Sequence, residues 1–477
     1  MKAPFSPYLS GIKAGLQELI TLLRRDYDYV SVLATDSKGL AVRISQHARS
    51  VSSETMTTER GVVVRVYKNG QYSEYALNEF SPARVRETAE EILAALRAQQ
   101  ELLGETGSQV YDTPALPDEP VTLFVEKETE QLPETTDVKA LVEKLGALSD
   151  AGMAMSEYVI ECMANAQSTH VCKMFLTENR DMCQSYVYSE GTAVAVVNRE
   201  GNNQVGYEGI SGLCGPELFD ALRDKMKKSV DTALELLDAG RIEPGEYDVI
   251  ASPEVTGLIA HEAFGHGVEM DMFVKNRALG KEYVGKRVGS ELVTMHEGAL
   301  CTENVTSYAF DDEGTLAGDV IEIDRGILKT GVCDALSALR LGIAPTGNGK
   351  RENYAHKAYT RMTNTIFDSG TDTLEDMIAS IEHGYLLEGM ESGMEDPKHW
   401  GIQCIIKAGR EIRNGKLTGK IVAPIIMTGY VPDVLGNISM LSGDREIFGT
   451  GGCGKGYKEW VKVTDGGPYL KTKARLG

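Results

Sequence analysis

Apolar residues recur at helical spacing at Ile12, Leu16, Leu19, Ile20 and Leu23, then give way to short runs rich in β-branched and aromatic side chains. Tyr29–Ala34, Leu40–Gln46, Gly61–Tyr67 and Gln71–Ala76 predict strands, the last two joined by a tight turn at Lys68-Asn69-Gly70. Ser81-Pro82 then opens a helix carrying Val85, Ala89, Ile92, Leu93 and Leu96, and Gly104, Gly107, Pro114, Pro117 and Pro120 predict a linker. A similar order of elements recurs: a strand at Val121–Glu126, a helix over Val138–Leu148, β-type runs at Glu157–Ala164, His170–Leu176, Cys183–Tyr188, Ala193–Val197 and Gln204–Gly209, and a helix from Leu218 to Leu237. The recurrence predicts a duplicated α+β unit, on the pattern of elements and not of residues.

From about Arg241 the pattern changes. A strand at Tyr247–Ala251 leads into a helix with Ser252 as N-cap, Pro253 in the first turn and Val255, Leu258, Ile259 and Glu262 on one face. Beyond it the chain turns β-rich, with strands predicted at Asn304–Phe310, Asp319–Asp324, Gln403–Lys407, Glu411–Arg413 and Lys420–Met427, and a hairpin turn at Asn414-Gly415. The pattern therefore predicts an α+β, multi-domain chain. Two N-terminal α+β units with β-meanders cover 1–115 and 116–240, and a β-rich C-terminal domain covers 241–477.

Composition narrows the class. The chain has 477 residues, more than one hydrophobic core serves, with 42% hydrophobic and 25% charged residues. A formal net charge of −21 argues against nucleic acid and anionic membranes as partners. No apolar run is long enough to span a bilayer, and Met1-Lys2-Ala3-Pro4-Phe5 begins no signal-peptide pattern, which predicts a cytoplasmic protein. Eight cysteines in a chain of this length do not form a disulfide framework; most are expected to be small buried hydrophobes.

The helix after Ser252 holds the candidate chemistry, His261-Glu262-Ala263-Phe264-Gly265-His266. In the H-E-x-x-H helix of zinc proteases the histidines stand four apart and point the same way. Here the gap is five, which in a regular helix turns the second histidine by roughly 140°. One metal can be shared only if the helix stops or bulges between them, and Gly265 and Gly267 beside His266 are expected to permit that. On its own such a string is more often a pair of helix-end histidines beside a solvated glutamate. A catalytic zinc site usually needs a third protein ligand. Glu269, Asp271 and His296 are near in sequence; Cys453 is distant, within Gly449-Thr450-Gly451-Gly452-Cys453-Gly454-Lys455-Gly456. Curled glycine backbone and nearby Lys455 would favour a thiolate there, and with the glycine break they turn the reading toward metal.

The same glycine loop offers nucleotide readings. Gly449, Gly451 and Gly454 fit G-x-G-x-x-G without room for a βαβ unit, and a Walker A fit places Gly456 where Ser or Thr is needed. No G-x-S-x-G elbow is present.

His261-Glu262-Ala263-Phe264-Gly265-His266-Gly267-Val268-Glu269 resembles the signature of the TldD/PmbA proteins, on the metal-bearing TldD side. The resemblance continues through Phe310-Asp311-Asp312-Glu313-Gly314, is densest over Pro345–His356, runs on through Arg361–Thr365 and ends at Cys453-Gly454-Lys455. It implies a zinc-dependent peptidase acting on peptides and unfolded chains. His261, His266 and Cys453 would bind the zinc, and Glu262 would be the motif glutamate. It also implies a dimer, either a homodimer or a heterodimer with a metal-less paralogue. The family carries a label linking it to DNA gyrase, which the acidic charge argues against as direct DNA contact. The chain departs from the family around Glu388–Gly393 through His399-Trp400-Gly401, where the usual glycine-rich stretch is missing; this bears on substrate preference.

In such a site zinc would lower the pKa of its water and polarise the scissile carbonyl, less strongly with a thiolate ligand than with three histidines. Glu262 would take the water's proton and pass it to the leaving amine. Tyr354, His356 and His296 are the visible candidates for an oxyanion partner, each also suited to a structural role. Two other classes stay open: a non-catalytic, chaperone-like peptide binder with structural zinc, favoured if Glu269 supplies a fourth ligand, and a phosphate-binding enzyme using Gly449–Lys455. Sheet-rich surroundings of both metal motifs predict that substrate binds as an extended strand.

Overall fold

In a computed structural model, which describes residues 1–106, 113–455 and 459–477, the first two segments build one eight-stranded sheet. Its strands are β1 (Tyr29–Ile44), β2 (Arg49–Ser52), β3 (Arg60–Lys68), β4 (Gln71–Leu77), β5 (Val121–Glu126), β6 (Val159–Leu176), β7 (Arg180–Arg199) and β8 (Asn202–Gly212). The path runs β4-β3-β1-β6-β7-β5, with β2 on β1 and β8 on β7. β1 of the first segment pairs antiparallel with β6 of the second, from Val32↔Leu176 to Ile44↔Ala164, so the boundary expected near residue 115 does not divide the sheet.

Three strands are longer than the hydrophobic runs suggest. Polar residues within them read as breaks, yet they find partners on neighbouring chain. Asp36 in β1 accepts from Ser6 Oγ at 2.5 Å and Arg60 Nε at 2.9 Å, and Ser168 in β6 meets Ser189 of β7 at 2.9 Å. Once those groups are satisfied the ladder runs through them.

The recurrent order of elements appears as two pairs of helices on one face of this sheet. Helices α1 (Pro7–Leu23) and α2 (Val85–Thr106) pack on Val30, Val32, Ala34, Val62, Val64 and Val66. Helices α3 (Val138–Met153) and α4 (Leu222–Leu236) cover Leu40, Val42 and Ile44 with the alanines of β6 and β7. Gly104, expected in a linker, lies within α2; Gly107 lies outside the described residues. At Asn69-Gly70 both φ angles are positive, 51° and 77°, as the β3–β4 hairpin requires.

The opposite face rests on the C-terminal half. Leu33, Val63, Phe175 and Met182 enclose Phe310, while Val171, Tyr186 and Tyr188 meet Val305 and Tyr308. Ion pairs bind the same seam: Arg65–Glu313 at 2.5 Å, Arg351–Glu74 at 2.6 Å and Lys173–Asp312. Asn304–Phe310, expected as a strand, is irregular there. Its amides go to side chains, Asn304 to Ser307 Oγ at 3.1 Å and Ala309 to Gln184 Oε1 at 2.8 Å.

The C-terminal half carries an eleven-stranded sheet. The strand Thr464–Leu476 touches four others, pairing parallel with Asn364–Phe367 and antiparallel with Gly245–Ala251, Ile425–Tyr430 and Met440–Phe448. Gly401–Arg413 is one strand where two runs were expected, and Lys420–Met427 is split by Pro424, which has no amide to donate. The Asn414-Gly415 turn forms with φ of 48° and 75°. His383–Asp396 pairs along its whole length with Gly401–Arg413. On its other side it pairs with Gly245–Ala251 only from Gly384 to Leu387. Among the described residues, the edge from Glu388 to Asp396 has no strand partner on that side. No described helix is long and apolar enough to cross a membrane.

Candidate metal centre

Strand Gly245–Ala251 delivers the chain into helix α5 (Pro253–Ala260), whose Val255, Leu258 and Ile259 are buried in the C-terminal core. Ser252 stands at the cap in extended conformation, but its hydroxyl makes no bond to the helix. At His261 the helix widens: residues His261–Gly265 form a π turn, closed by the His266 amide on His261 O. A π turn takes about 4.4 residues, so side chains five apart come nearly into line. The imidazoles lie edge to face, their centroids 5.0 Å apart. This is the bulge that a five-residue spacing demands.

The glycines serve a different end from the one expected. Gly265 keeps helical angles, φ −55° and ψ −58°. It is small because a methyl there would collide with Met362 Sδ, and a Cβ at Gly267 would stand 2.8 Å from Glu395 Oε1. Close approach, not a left-handed backbone, explains both.

Cys453 reaches the histidines from a hairpin in which Gly452–Lys455 pairs with Glu459–Lys462. Met362, Val461 and Val463 pack around it. The fully buried Arg361 fixes this hairpin, donating to Cys453 O at 2.7 Å and also to Glu459 O. Cys453 Sγ lies 3.3 Å from His266 Nε2, and one ligand atom from each of His261, His266 and Cys453 falls within 4.8 Å of the others. Donors sharing a tetrahedral zinc at the usual bond lengths stand about 3.6 Å apart. His261 Nδ1 is buried without a partner, an orphaned donor atom of the kind a metal would satisfy. On spacing, donor chemistry and this orphaned atom, the residues fit a zinc ion.

Burial would raise the Cys453 thiol, but His266 and His261 outweigh it and hold it well below its usual range. Burial would lower both imidazoles, and the Cys453 sulfur reverses that in each. Lys455, expected to activate the thiol, is instead committed to Asp271 at 2.7 Å, Glu269 at 3.1 Å and Thr360 O at 3.0 Å.

The other proposed ligands are drawn elsewhere. Glu269 places Oε2 3.1 Å from His266 Nδ1 and Oε1 3.7 Å from Arg361 Nε. It orients the imidazole from behind, in the manner of a carboxylate partner to a ligating histidine. Burial would raise its carboxyl, yet Lys455 and His266 bring it to about 2. Asp271 binds Lys455 and Lys275, while His296 sits between Asp319 at 2.8 Å and Asp368 at 3.4 Å. Neither His296, Tyr354 nor His356 lines the metal cleft.

The cleft is a cavity of about 910 Å³ that opens on Glu262, His261, His266 and Cys453. One wall is the segment Met390–Glu395, on the unpartnered strand edge, where a bulge between Met390 and Ser392 bends the strand. Part of the stretch that departs from the glycine-rich family pattern therefore lines this cleft. Gly393 presses on Glu262: a Cβ at 393 would collide with Glu262 Cγ and its carboxylate. Burial raises Glu262 above the usual carboxylate range, opposed by His261 and His266.

Sequence reasoning touched Arg361 and Gly393 only as members of longer motifs, with no role at the metal site, and did not single out Glu395 or Asp465. Both carboxylate oxygens of Glu395 and Oδ1 of Asp465 are buried without hydrogen-bond partners, and both residues line the cleft. Burial pushes Glu395 up to about 9 and Asp465 to about 7. No local motif marks them; their nearness follows from sheet order alone.

Residues 244–473 match the PmbA/TldA metallopeptidase C-terminal domain. A metalloprotease from Methanocaldococcus jannaschii is 32% identical over 281 residues, 59% of this chain and 61% of that one. A metalloprotease from Synechocystis is 28% identical over 469 residues, 98% of each chain. A zinc metalloprotease TldD homologue from Saccharolobus solfataricus is 30% identical over 288 residues, 60% of this chain and 64% of that one. The two archaeal alignments thus span less than two thirds of those relatives' length. Among solved structures, TldE from Thermococcus kodakarensis superposes with a TM-score of 0.78 at 16% identity, over 97% of this chain and 100% of that one, which shows a shared fold.

Proposed function

The chain belongs to the TldD/PmbA metallopeptidase family, and from that premise we propose that it is a zinc-dependent peptidase hydrolysing peptides or unfolded polypeptides. The observation that carries the reading is the π turn, which brings His261 and His266 into line opposite Cys453, with Glu262 in the same cleft. His261, His266 and Cys453 would hold the ion. Bound zinc would supply Lewis acidity, acidifying water and polarising the scissile carbonyl.

The chain's own residues do the rest. Glu262, buried beside a ligand and facing the cleft, takes the proton of the attacking water and returns it to the leaving amine. Its raised affinity for protons suits an acceptor that must release the proton later. Glu269, pinned by Lys455 and Arg361, holds the His266 ring in one orientation. Arg361 holds the Cys453 hairpin in place by its backbone. The unpartnered edge from Glu388 to Asp396 offers main-chain groups to an extended substrate.

The structural-zinc reading is favoured if a fourth protein ligand such as Glu269 fills the water position, and the commitments of Glu269 to His266, Lys455 and Arg361 argue against Glu269 in that place. A phosphate-binding reading requires a free Lys455 and a helix after the glycines. Lys455 is held by two carboxylates, and Gly452–Lys455 is a strand; Gly456 lies outside the described residues. In the proposed reading the protein works in the cytoplasm as a homodimer or paired with a metal-less paralogue. Metal analysis with peptidase assays, before and after a chelator, tests the function. Zinc-dependent hydrolysis restored by added zinc is the expected result; full activity after complete metal removal would overturn it.

A further inference from the structure

We propose that Lys350 is a nucleophilic amine set in a second cavity, behind the hairpin that carries Cys453, where it condenses with a small aldehyde to form an imine. The inference does not depend on the peptidase reading. Lys350 lies in Pro345–His356, where the family resemblance is densest, yet it does not line the metal cleft.

The cavity, about 140 Å³, lies in the seam between the N-terminal sheet and the C-terminal half. Val171 of β6 and Tyr186 of β7 line one side, Lys350 and Val461 another. Val461 also packs against Cys453, so the hairpin stands between this space and the metal centre. Met56 and Trp460 are each more than half exposed and open the cavity to solvent. A space of roughly this size holds a molecule such as benzene.

Among the described residues four cations line the cavity, and three of them face a carboxylate. Lys173 meets Asp312, Arg351 meets Glu74 at 2.6 Å and Lys462 meets Glu190 at 2.5 Å. Lys350 has no such partner there. Its nitrogen meets two backbone carbonyls, Met362 O at 3.2 Å and Lys462 O at 2.6 Å. A neutral amine has two N–H bonds and one lone pair. The two carbonyls take both N–H groups and leave the lone pair for the cavity, whereas an ammonium would carry a third N–H to no acceptor. Burial, with Arg361 and Lys173 adding to it and Glu297 and Asp312 opposing it, pushes the amine down to about 7. A desolvated lysine beside other cations is the usual setting of an imine-forming amine.

Tyr186 supplies a second group. It is 8% exposed, and its hydroxyl has no hydrogen-bond partner among the described residues. Burial pushes the phenol up to about 12, so it stays a donor and can bond the oxygen of an entering aldehyde. The lone pair of Lys350 attacks the aldehyde carbon and the C–N bond forms. Both amine protons leave with the aldehyde oxygen as water, and nothing is oxidised or reduced. Protonated from solvent, the imine keeps one N–H for Lys462 O and gives up the bond to Met362 O.

The test treats full-length protein with propionaldehyde and cyanoborohydride, which fixes imines as secondary amines, and maps modified lysines by mass spectrometry. Lys139, an exposed lysine, is the reference. At about pH 7 Lys350 should be labelled at least about tenfold faster than Lys139, whose amine is almost wholly protonated there. In urea-unfolded protein the two rates should converge. Tyr186→Phe should slow labelling at Lys350 by about two- to tenfold, the worth of one hydrogen bond, and leave Lys139 unchanged. Naphthaldehyde, too large for the cavity, should reach Lys139 and not Lys350. Equal rates at the two lysines in folded protein would overturn the inference. So would an excess at Lys350 that survives unfolding, or labelling of Lys350 by naphthaldehyde as fast as by propionaldehyde. An unchanged rate in Tyr186→Phe would take the hydroxyl out of the site.

Discussion

His266 Nε2 and Cys453 Sγ lie 3.3 Å apart although 187 positions separate them in the chain. The candidate metal centre is therefore closed by the fold of the C-terminal half and not by one local motif. Replacing Cys453 by Ser should remove most of the bound zinc while leaving secondary structure intact. The domain's main core, running from Val249 to Leu476, does not include Cys453. Full zinc occupancy in purified Cys453→Ser would move the third ligand elsewhere.

How much of this was legible beforehand depends on whether the signal is local. The five-residue histidine spacing carries its own geometric demand, and a π turn is the answer the helix found. The hairpins at Asn69-Gly70 and Asn414-Gly415 are likewise written in two residues each. The continuous sheet was not legible, because Asp36 and Ser168 look like strand breakers until Ser6, Arg60 and Ser189 supply their partners. Lys455 misled for a related reason: a lysine two residues from a cysteine suggests an activated thiol, but Glu269 and Asp271 hold its ammonium at 3.1 and 2.7 Å. Glu395 and Gly393 belong to the site only because strand 383–396 runs beside α5, a fact of sheet order that no window of sequence contains.

Glu262→Ala should keep its zinc and lose hydrolysis by a factor of at least roughly 100, as removal of a general base does. The pair of measurements matters, since a fall in rate with a fall in metal would say nothing of Glu262. Near-normal turnover with full zinc would take this residue out of the mechanism.

Gly393→Ala probes the same carboxylate from the strand side. The added methyl must displace the Glu262 side chain, because a Cβ at 393 would collide with its Cγ and stand 2.6 Å from its Oε1. Misplacing a catalytic group by about 1 Å can cost up to 100-fold, so kcat should fall by at least about tenfold while zinc content stays normal. An unchanged kcat would mean that Glu262 has room to give.

A pH dependence of stability should arise far from the cleft, at His170. This buried imidazole lies 2.7 Å from Glu134 Oε1 and 2.9 Å from Ser185 Oγ. Burial would lower it, but Cys172 and Glu134 outweigh burial and push it up to about 9. A pKa raised above the unfolded value near 6.5 adds stability that is fully present below 6.5 and is lost as pH rises through 9. At about 1.4 kcal/mol per unit the contribution is about 2 kcal/mol after allowance for the half-exposed Glu134. His170→Gln should therefore cost more stability at pH 6 than at pH 9.5 in denaturant titrations. Equal losses at the two pH values would show that the charge on His170 contributes nothing.

Substrate should enter only as extended chain, with folded proteins resistant. Glu262, His261 and Cys453 are more than nine-tenths buried and His266 is partly buried, in a cavity walled by Met390–Glu395 on one side and the Gly451–Lys455 segment on another. The only strand edge on that wall without a partner runs from Glu388 to Asp396, among the described residues. Main-chain groups along it that have no strand partner can bond a substrate backbone whose own groups are unpaired. A helix or hairpin has already used those groups on itself. Main-chain pairing reads little of the side-chain sequence, so broad tolerance should accompany the demand for an unfolded chain. The comparison is one protein offered native and then denatured, beside an unstructured peptide drawn from it. Denatured protein and peptide should be cut at similar rates, and the native form at least about tenfold more slowly, because its cleavage waits on local opening. Equal rates for native and denatured forms would mean that the edge is not the binding surface.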